Sequence, residues 1–159
     1  GASQRVLLLG ATGTIGRATS RALLKRGHQV VCLVRPRQGK NALDPDISAQ
    51  LAGATLRWGD ACDPQSLRDD GFAGEQFDAV VSCMASRTGT PKDAWRVDHQ
   101  AHVDVLQAAK LAGVRQFVQL KSHLRDVLIS HGLKPFSVRF HESSGNIPCT
   151  LGLLVCLVW

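Results

Sequence analysis

The 159-residue chain is long enough for one domain with a sizeable core, and 44% of its residues are hydrophobic. Its net charge of +6 is compatible with an anionic ligand, a nucleic acid or a membrane surface. The basic residues are scattered, however, and an aromatic content of 5% leaves few rings to stack on bases, so a nucleic acid is not the predicted partner.

The five cysteines and six histidines predict no metal centre. The cysteines form no Cys-x-x-Cys pair and their number is odd, which favours a reducing compartment over a secreted, disulfide-bonded protein. Cys32 and Cys83 lie in apolar runs that are typical of central strands. His99 and His102 lie three residues apart on a predicted helix without further ligands at suitable spacing, so we interpret both as solvated helix residues.

The chain opens with an apolar strand, a glycine-rich turn and a helix. Residues Arg5 to Leu9 are too uniformly apolar for a strand with one exposed face, which predicts a buried strand. The helix is predicted from Ile15 to Arg26, and Gly27 is a natural end. Its apolar positions at helical spacing are Ile15, Ala18, Ala22 and Leu23.

The turn between them, GATGTIG, has the order of elements that a dinucleotide pyrophosphate requires. We expect Gly10 to turn where a Cβ would clash, Gly13 to let the backbone approach the phosphates, and Gly16 to let the helix pack closely. Because the spacing is GxxGxxG instead of the more familiar GxGxxG, a turn without a ligand stays the alternative. The candidate pyrophosphate contacts are the residues of the whole turn: Gly10, Ala11, Thr12, Gly13, Thr14, Ile15 and Gly16.

A second strand, Gln29 to Val34, ends in Arg35-Pro36-Arg37. An Asp or Glu about 20 residues after the glycine motif binds a free 2′-hydroxyl, whereas an Arg there suits a 2′-phosphate. Arg35 occupies that position and the first following acid is Asp44. A guanidinium can bind a phosphate through two hydrogen bonds. The sequence therefore predicts NADP(H) in preference to NAD(H), with Arg35 and Arg37 as candidate contacts; the alternative is a solvated strand end.

The middle of the chain continues the alternation. A short helix is predicted for Asp46 to Ala52, a third strand for Ala54 to Trp58 and a short helix for Pro64 to Asp70. Asp60 follows the third strand. Its carboxylate could contact a ligand at the carboxyl end of the sheet or cap a turn, and the sequence leaves both interpretations open.

A fourth strand, Phe77 to Cys83, is followed by Ala85 and Ser86, whose small side chains would let a nicotinamide ribose approach. The longest helix is predicted for Lys92 to Ala112 and a fifth strand for Gln116 to Leu120. Regular alternation of strand and helix predicts an α/β fold, a doubly wound parallel sheet of Rossmann type. The apolar positions of the long helix are Trp95, Val97, Ala101, Val103, Leu106, Ala109 and Leu111.

The run SCMASRTG at 82–89, followed by KDAW at 92–95 and by Asp98, resembles the atypical short-chain dehydrogenases/reductases. Within them it is most similar to the divinyl chlorophyllide a 8-vinyl-reductases, over about residues 4 to 120. The resemblance implies a pyrophosphate at Gly10, Thr12, Gly13, Ile15 and Gly16, a 2′-phosphate at Arg35, and a nicotinamide near Ala85 and Ser86.

The same resemblance implies an NADPH-dependent enzyme of chlorophyll biosynthesis that reduces the 8-vinyl group of divinyl (proto)chlorophyllide a to ethyl. Its partner would be a tetrapyrrole, and its compartment the chloroplast or the cytoplasm of a photosynthetic bacterium. The alternative is a non-catalytic, NmrA-like module that binds NADP(H) or senses redox state. The 159 residues contain no tyrosine, which excludes a Tyr-x-x-x-Lys pair within them, and no catalytic residue is assigned.

The resemblance ends after Leu120. We therefore predict an NADP(H)-binding domain at 1–120 and a divergent segment at 121–159, either a partial helix–strand continuation or disordered, as in a truncated or misjoined gene product. Its final nine-residue apolar run, Leu151 to Trp159, is too short to span a bilayer and leaves peripheral membrane contact open. The oligomeric state is not predicted.

Overall fold

A computed structural model of the chain describes residues 1–36, 45–86, 88, 90–120 and 154–158. Six strands form one sheet in the order β3-β2-β1-β4-β5-β6. The first five strands of the chain, β1 to β5, are all parallel to their neighbours, and β6 is antiparallel to β5. The strands are β1 (Arg5–Leu9), β2 (Gln29–Val34), β3 (Thr55–Trp58), β4 (Ala79–Ser82), β5 (Gln116–Leu120) and β6 (Leu154–Val158).

Four helical segments connect the parallel strands. Helix α1 is Thr14–Lys25 and α2 is Pro45–Gln50. Helix α3 consists of one turn, Pro64–Ser66, continued by wider π-helical turns over Leu67–Phe72. Helix α4 consists of Pro91–Asp93, π-helical Ala94–Gln100 and Ala101–Leu111. Proline in the first turn and an acceptor side chain before it start both α3 and α4, since the side chain of Asp63 accepts from the Gln65 N–H and that of Thr90 from the Asp93 N–H.

The core lies on both faces of the sheet, because alternate residues of the central strands point to opposite sides. One apolar cluster joins Leu7 and Leu9 of β1 to Leu67 of α3 and Val105 of α4. The other joins Leu8 to Leu23 and Leu24 of α1 and to Ile47 of α2. Helices therefore cover both faces, and the predicted doubly wound parallel sheet is confirmed.

Helix α1 forms where the sequence predicts it but buries different residues. Ala18 and Ala22 are exposed and Ile15 keeps 40% of its surface accessible. The buried residues of the helix are Gly16 and Ser20. Of the predicted apolar positions, Leu23 packs against the core, whereas Ile15, Ala18 and Ala22 do not. At Gly16 the helix approaches the turn after β1 so closely that a Cβ has no room.

In helix α4 the predicted positions Val97, Ala101 and Ala109 are buried, but the helix departs from its predicted face elsewhere. Trp95 and Leu111 occupy predicted apolar positions, yet they are 57% and 87% exposed. His102, interpreted above as solvated, is buried with 7% of its surface accessible. The wider turns over Ala94–Gln100 rotate the following residues relative to a regular helix, which a pattern of 3.6 residues per turn does not anticipate.

The last described strand lies outside the resemblance. β6 pairs antiparallel with β5, in a register that sets Gln116 opposite Val158 and Leu120 opposite Leu154. The division at residue 120 stays a prediction, and residues 121–153 lie outside the described part of the chain. Among the described residues, no helix is both long enough and apolar enough to cross a membrane.

Candidate dinucleotide-binding site

The candidate site lies at the carboxyl end of the central strands. In a doubly wound sheet a crevice opens where successive connections turn to opposite faces. That reversal occurs here between β1 and β4, because α1 packs on one face of the sheet and α4 on the other. The glycine turn follows β1, and the segment with Ala85 and Ser86 follows β4, so the topology brings these two predicted regions to the same crevice.

Two glycines of the turn are required by packing within the protein. Gly10 has a φ of +70°, and a Cβ there would stand 2.7 Å from both the Cys83 carbonyl carbon and the Met84 nitrogen. A Cβ on Gly16 would stand 2.0 Å from the Gly10 carbonyl oxygen. Both contacts are with backbone atoms that cannot rotate away, so these two glycines hold β1, α1 and the segment after β4 together.

Gly13 is different, because its surroundings are open. A Cβ there would meet only the Gly10 carbonyl oxygen, at 3.9 Å, and its φ of −75° suits any residue. Gly13 precedes the first residue of α1, no side chain caps this helix end, and the first turn contains no acidic residue. The backbone N–H groups of Gly13 and Thr14, both exposed residues, are therefore accessible to an anion. Ala11 is buried, Thr12 half-buried and Ile15 exposed.

Arg35 directly follows β2 and is exposed, whereas Arg37 lies outside the described residues. Asp60 follows β3, where its Oδ1 accepts a hydrogen bond of 2.9 Å from the Cys62 N–H. The carboxylate thus caps a turn, which is one of its two sequence interpretations; a contact with a ligand stays a prediction. Burial, and then Asp60, raise the pKa of the Cys62 thiol, while Arg96 and Arg35 oppose the rise. Both guanidinium groups therefore act on the same region between β2, β3 and α4.

The segment after β4 is attached to α4 by side chains. Ser86 is half-buried, and both its N–H and its hydroxyl donate to the Asp98 carboxylate, each over 3.1 Å. The Thr88 N–H and hydroxyl donate to Asp93 Oδ2 over 3.3 and 3.1 Å. Ala85, which precedes both anchored residues, is exposed. Sequence reasoning assigned no role to Asp98 beyond its place in the run that carries the resemblance.

Beneath this segment a buried hydrogen bond joins β4 to α4. His102 Nδ1 lies 3.0 Å from the Val97 carbonyl oxygen and Nε2 lies 2.7 Å from Ser82 Oγ. A carbonyl only accepts, so Nδ1 carries a hydrogen, and in the neutral ring Nε2 accepts from the Ser82 hydroxyl. Ser82 is fully buried and His102 is buried, which places this pair within the protein core.

Two thiols lie under α1 on the other face. Cys83 Sγ donates to Thr19 Oγ1 over 3.7 Å, and burial raises the pKa of Cys83 to about 11. Burial also raises the pKa of Cys32, in the middle of β2, to about 12. Both thiols are protonated at neutral pH, so neither has the thiolate character of a nucleophile. Among the described residues, no group of three or more His, Cys, Asp or Glu side chains is arranged to hold a metal ion.

The sheet order, the glycine turn and the open amino end of α1 together define a Rossmann-type dinucleotide-binding unit. Comparison with known proteins agrees with this class. The model of the NAD dependent epimerase/dehydratase family matches residues 6–124, and the chain belongs to that family. The cofactor class is therefore a nicotinamide dinucleotide.

Particular relatives narrow the comparison. The chain is 44% identical over 120 residues to the chloroplastic divinyl chlorophyllide a 8-vinyl-reductase of Oryza sativa subsp. indica. The aligned region covers 74% of this chain and 29% of the relative. It is 34% identical over 114 residues to the photosystem II assembly factor Ycf39 of Synechocystis, covering 72% of this chain and 32% of the relative. The chain thus spans less than a third of the length of these two curated relatives.

Among solved structures, the Bordetella bronchiseptica enzyme WbmG in complex with NAD and UDP is similar to this chain. The TM-score is 0.60 with 25% sequence identity, over 78% of this chain and 39% of the other. This similarity agrees with the Rossmann fold found here.

Proposed function

We propose that this chain is the NADPH-binding part of a reductase that converts the 8-vinyl group of divinyl (proto)chlorophyllide a to ethyl. The observation that supports it best is the 44% identity, over 120 residues, to a reductase of that name. The protein would then act in a chloroplast or in the cytoplasm of a photosynthetic bacterium, with a tetrapyrrole as its substrate.

The arrangement of the crevice supports a dinucleotide as the ligand. The pyrophosphate would lie over Gly13 and the exposed N–H groups of α1, where no side chain at Gly13 intrudes. The adenosine would lie between the ends of β2 and β3, beside Arg35 and Asp60. The nicotinamide would lie beside Ala85 and Ser86 after β4. Contacts from Ala11, Thr12, Thr14 and Ile15 complete the proposed set.

NADPH, when bound, would supply a hydride to one vinyl carbon. The residues of this chain would orient the nicotinamide against the substrate and exclude water from the crevice. The reaction also needs a proton for the other carbon, and no described residue stands out as its donor. His102 is buried with both ring nitrogens hydrogen-bonded inside the protein, and the raised pKa of the Cys83 thiol makes this thiol a poor acid.

The preference for NADPH rests on Arg35. Its exposed guanidinium follows β2, at the position that contacts a 2′-substituent in this fold, and Arg37 would add a second cation. A guanidinium hydrogen bond to a charged phosphate contributes about 1.5–3 kcal/mol, which corresponds to about a tenfold to hundredfold change in affinity. NADH has no such phosphate, so it would not gain from this contact.

The test is calorimetric titration of the purified chain with NADPH and with NADH, for the wild type and for Arg35→Ser. We expect the variant to bind NADPH about tenfold to hundredfold more weakly than the wild type, and to lose less than about threefold in affinity for NADH. Arg115→Ser is the matched control, because it removes the same charge next to the amino end of β5, which lies on the other side of β1 from β2. Equal losses for both nucleotides in Arg35→Ser would reject the 2′-phosphate contact.

The reduction itself is tested with divinyl chlorophyllide a, using a longer protein that includes this chain. Loss of the vinyl signal with NADPH consumption supports the reductase. A second candidate follows from the 34% identity to the assembly factor Ycf39, which favours a non-catalytic NADP(H)-binding module. Tight nucleotide binding without turnover of the chlorophyllide would favour this second function.

A further inference from the structure

The hydrogen bonds of Ser86 leave its hydroxyl with a defined polarity. Its N–H donates to Asp98 Oδ1 and its Oγ–H donates to Oδ2, each over 3.1 Å. An ionised carboxylate only accepts, so the single hydroxyl hydrogen of Ser86 is directed at α4. What remains available on Oγ is its pair of acceptor sites.

We propose that Asp98 is a positioning residue that fixes the Ser86 hydroxyl as a hydrogen-bond acceptor toward the nicotinamide half of the cofactor. The inference rests on the proposed function for the identity of the ligand. The groups that Ser86 would then recognise are donors, namely a ribose hydroxyl or the carboxamide NH₂ of the nicotinamide. The same polarity excludes the Ser86 hydroxyl as the proton donor of the reduction.

The surroundings of the pair keep this polarity in place. Asp98 contacts Ser86 from the π-helical part of α4, whose neighbouring residue Val97 is buried. Two residues after Ser86, the N–H and the hydroxyl of Thr88 both donate to the carboxylate of Asp93, which lies earlier on α4. On the other side, the backbone of Met84 packs against Gly10. The segment is therefore held on both sides of Ser86, and a carboxylate that accepts from two groups of one residue restricts its orientation further.

A conservative substitution separates this role from mere attachment of the segment. In Asp98→Asn the amide oxygen can still accept from the Ser86 N–H, but the amide NH₂ now donates to Ser86 Oγ. The hydroxyl hydrogen must then turn toward the ligand, where it meets a donor. The attachment survives while the polarity of Ser86 is reversed.

The experiment is a double-mutant cycle on nucleotide affinity with Asp98→Asn, Ser86→Ala and the double variant, after thermal unfolding has shown that each is folded. We expect each single variant to bind NADPH about tenfold more weakly than the wild type. The affinity of the double variant should equal that of Ser86→Ala within about twofold. Asp104→Asn is the control, because Asp104 lies on α4 and accepts from Gln100 instead. An equal loss from Asp98→Asn with and without the Ser86 hydroxyl would overturn the proposal.

A second readout requires no nucleotide. In the wild type the amide proton of Ser86 donates to a carboxylate, so its NMR signal should lie downfield and move upfield in Asp98→Ala. An unchanged signal would overturn the inference whether or not a nucleotide binds. A different outcome is a wild-type chain whose Ser86 amide signal lies downfield but which binds neither nucleotide. That result would confirm the Asp98–Ser86 pair and reject the proposed function, and with it the role of Ser86 toward a cofactor.

Discussion

At the scale of single residues, the three glycines of the turn divide between fold and ligand. Gly10 and Gly16 have backbone atoms of the same protein where a Cβ would be, whereas Gly13 faces open space. The sequence motif predicts different tasks for the three, namely a tight turn, an approach of the backbone to the phosphates and close helix packing. The contacts show that only Gly13 has no internal reason to be glycine, which makes it the position that tests the ligand.

Gly13→Val should therefore retain the fold and lose the nucleotide. Its φ of −75° is one that valine adopts, and its Cβ would meet no atom closer than 3.9 Å. The branched side chain would stand in the path of the phosphates, so we expect NADPH affinity to fall at least about hundredfold in calorimetry. Undiminished binding would show that the turn is architecture alone.

Gly16→Ala is the complementary change, and we expect it to destabilise the protein. A Cβ 2.0 Å from the Gly10 carbonyl oxygen forces α1 away from the turn. Overpacking of this kind costs about 1–3 kcal/mol, measurable in urea unfolding. Gly27→Ala serves as a comparison, since its cost arises from a φ of +82° without any nearby atom. A fully stable Gly16→Ala protein would mean that the turn and α1 are not packed this closely.

At the scale of elements, α4 holds the segment after β4 through polar contacts that the hydrophobic pattern of its sequence does not reveal. Strand ends, Gly-rich turns and the alternation of elements were predictable, because they depend on local chemistry and on uniform burial. The buried state of His102 and the exposure of Trp95 were not, since π-helical turns change which residues face the sheet. The pairing of β6 with β5 was equally hidden, because it joins residues far apart in the chain.

The Ser82–His102 bond should contribute measurably to the attachment of α4. Ser82→Ala removes the buried hydrogen bond of 2.7 Å between Ser82 Oγ and His102 Nε2. A hydrogen bond of this kind contributes about 0.5–1.5 kcal/mol, which we expect as the loss in unfolding free energy. Ser3→Ala removes a comparable hydroxyl, one that donates to the Gly27 carbonyl at the surface, and should change it by less than about 0.5 kcal/mol. Equal effects for both serines would contradict a special role for the buried bond.

At the scale of the whole molecule, the two ends of the sheet carry different tasks. The carboxyl end holds the exposed turn, Arg35 and the Ser86 segment. At the amino end of β1, Glu75 accepts from Arg5 and, over 2.6 Å, from Arg57 of β3, whose backbone lies level with Leu33 of β2. The Arg5 guanidinium also lies 4.8 Å from the centre of the Phe77 ring. Three parts of the fold are thereby joined away from the proposed ligand.

This separation predicts that acid weakens the fold through Glu75 without involving the candidate site. The hydrogen bonds from Arg57 and then Arg5 lower the pKa of the Glu75 carboxyl below its ordinary value of 4.5. A carboxyl with a lowered folded-state pKa stabilises the protein above its ordinary pKa, and that contribution is lost as the pH falls through the folded-state pKa. Glu75→Gln should therefore melt at a lower temperature than the wild type at pH 7, and the difference should close below pH 4.5.

Melting curves from about pH 3 to pH 7 test this, with Asp69→Asn as a control that removes one exposed acidic charge from α3. Because Glu75 lies at the amino end, its substitution should leave NADPH affinity at pH 7 unchanged within about twofold. A melting difference that stays constant across the pH range would assign the effect to packing instead of charge. A large loss of nucleotide affinity would instead show that the two ends of the sheet are coupled, so that stability and binding could not be altered independently in this fold.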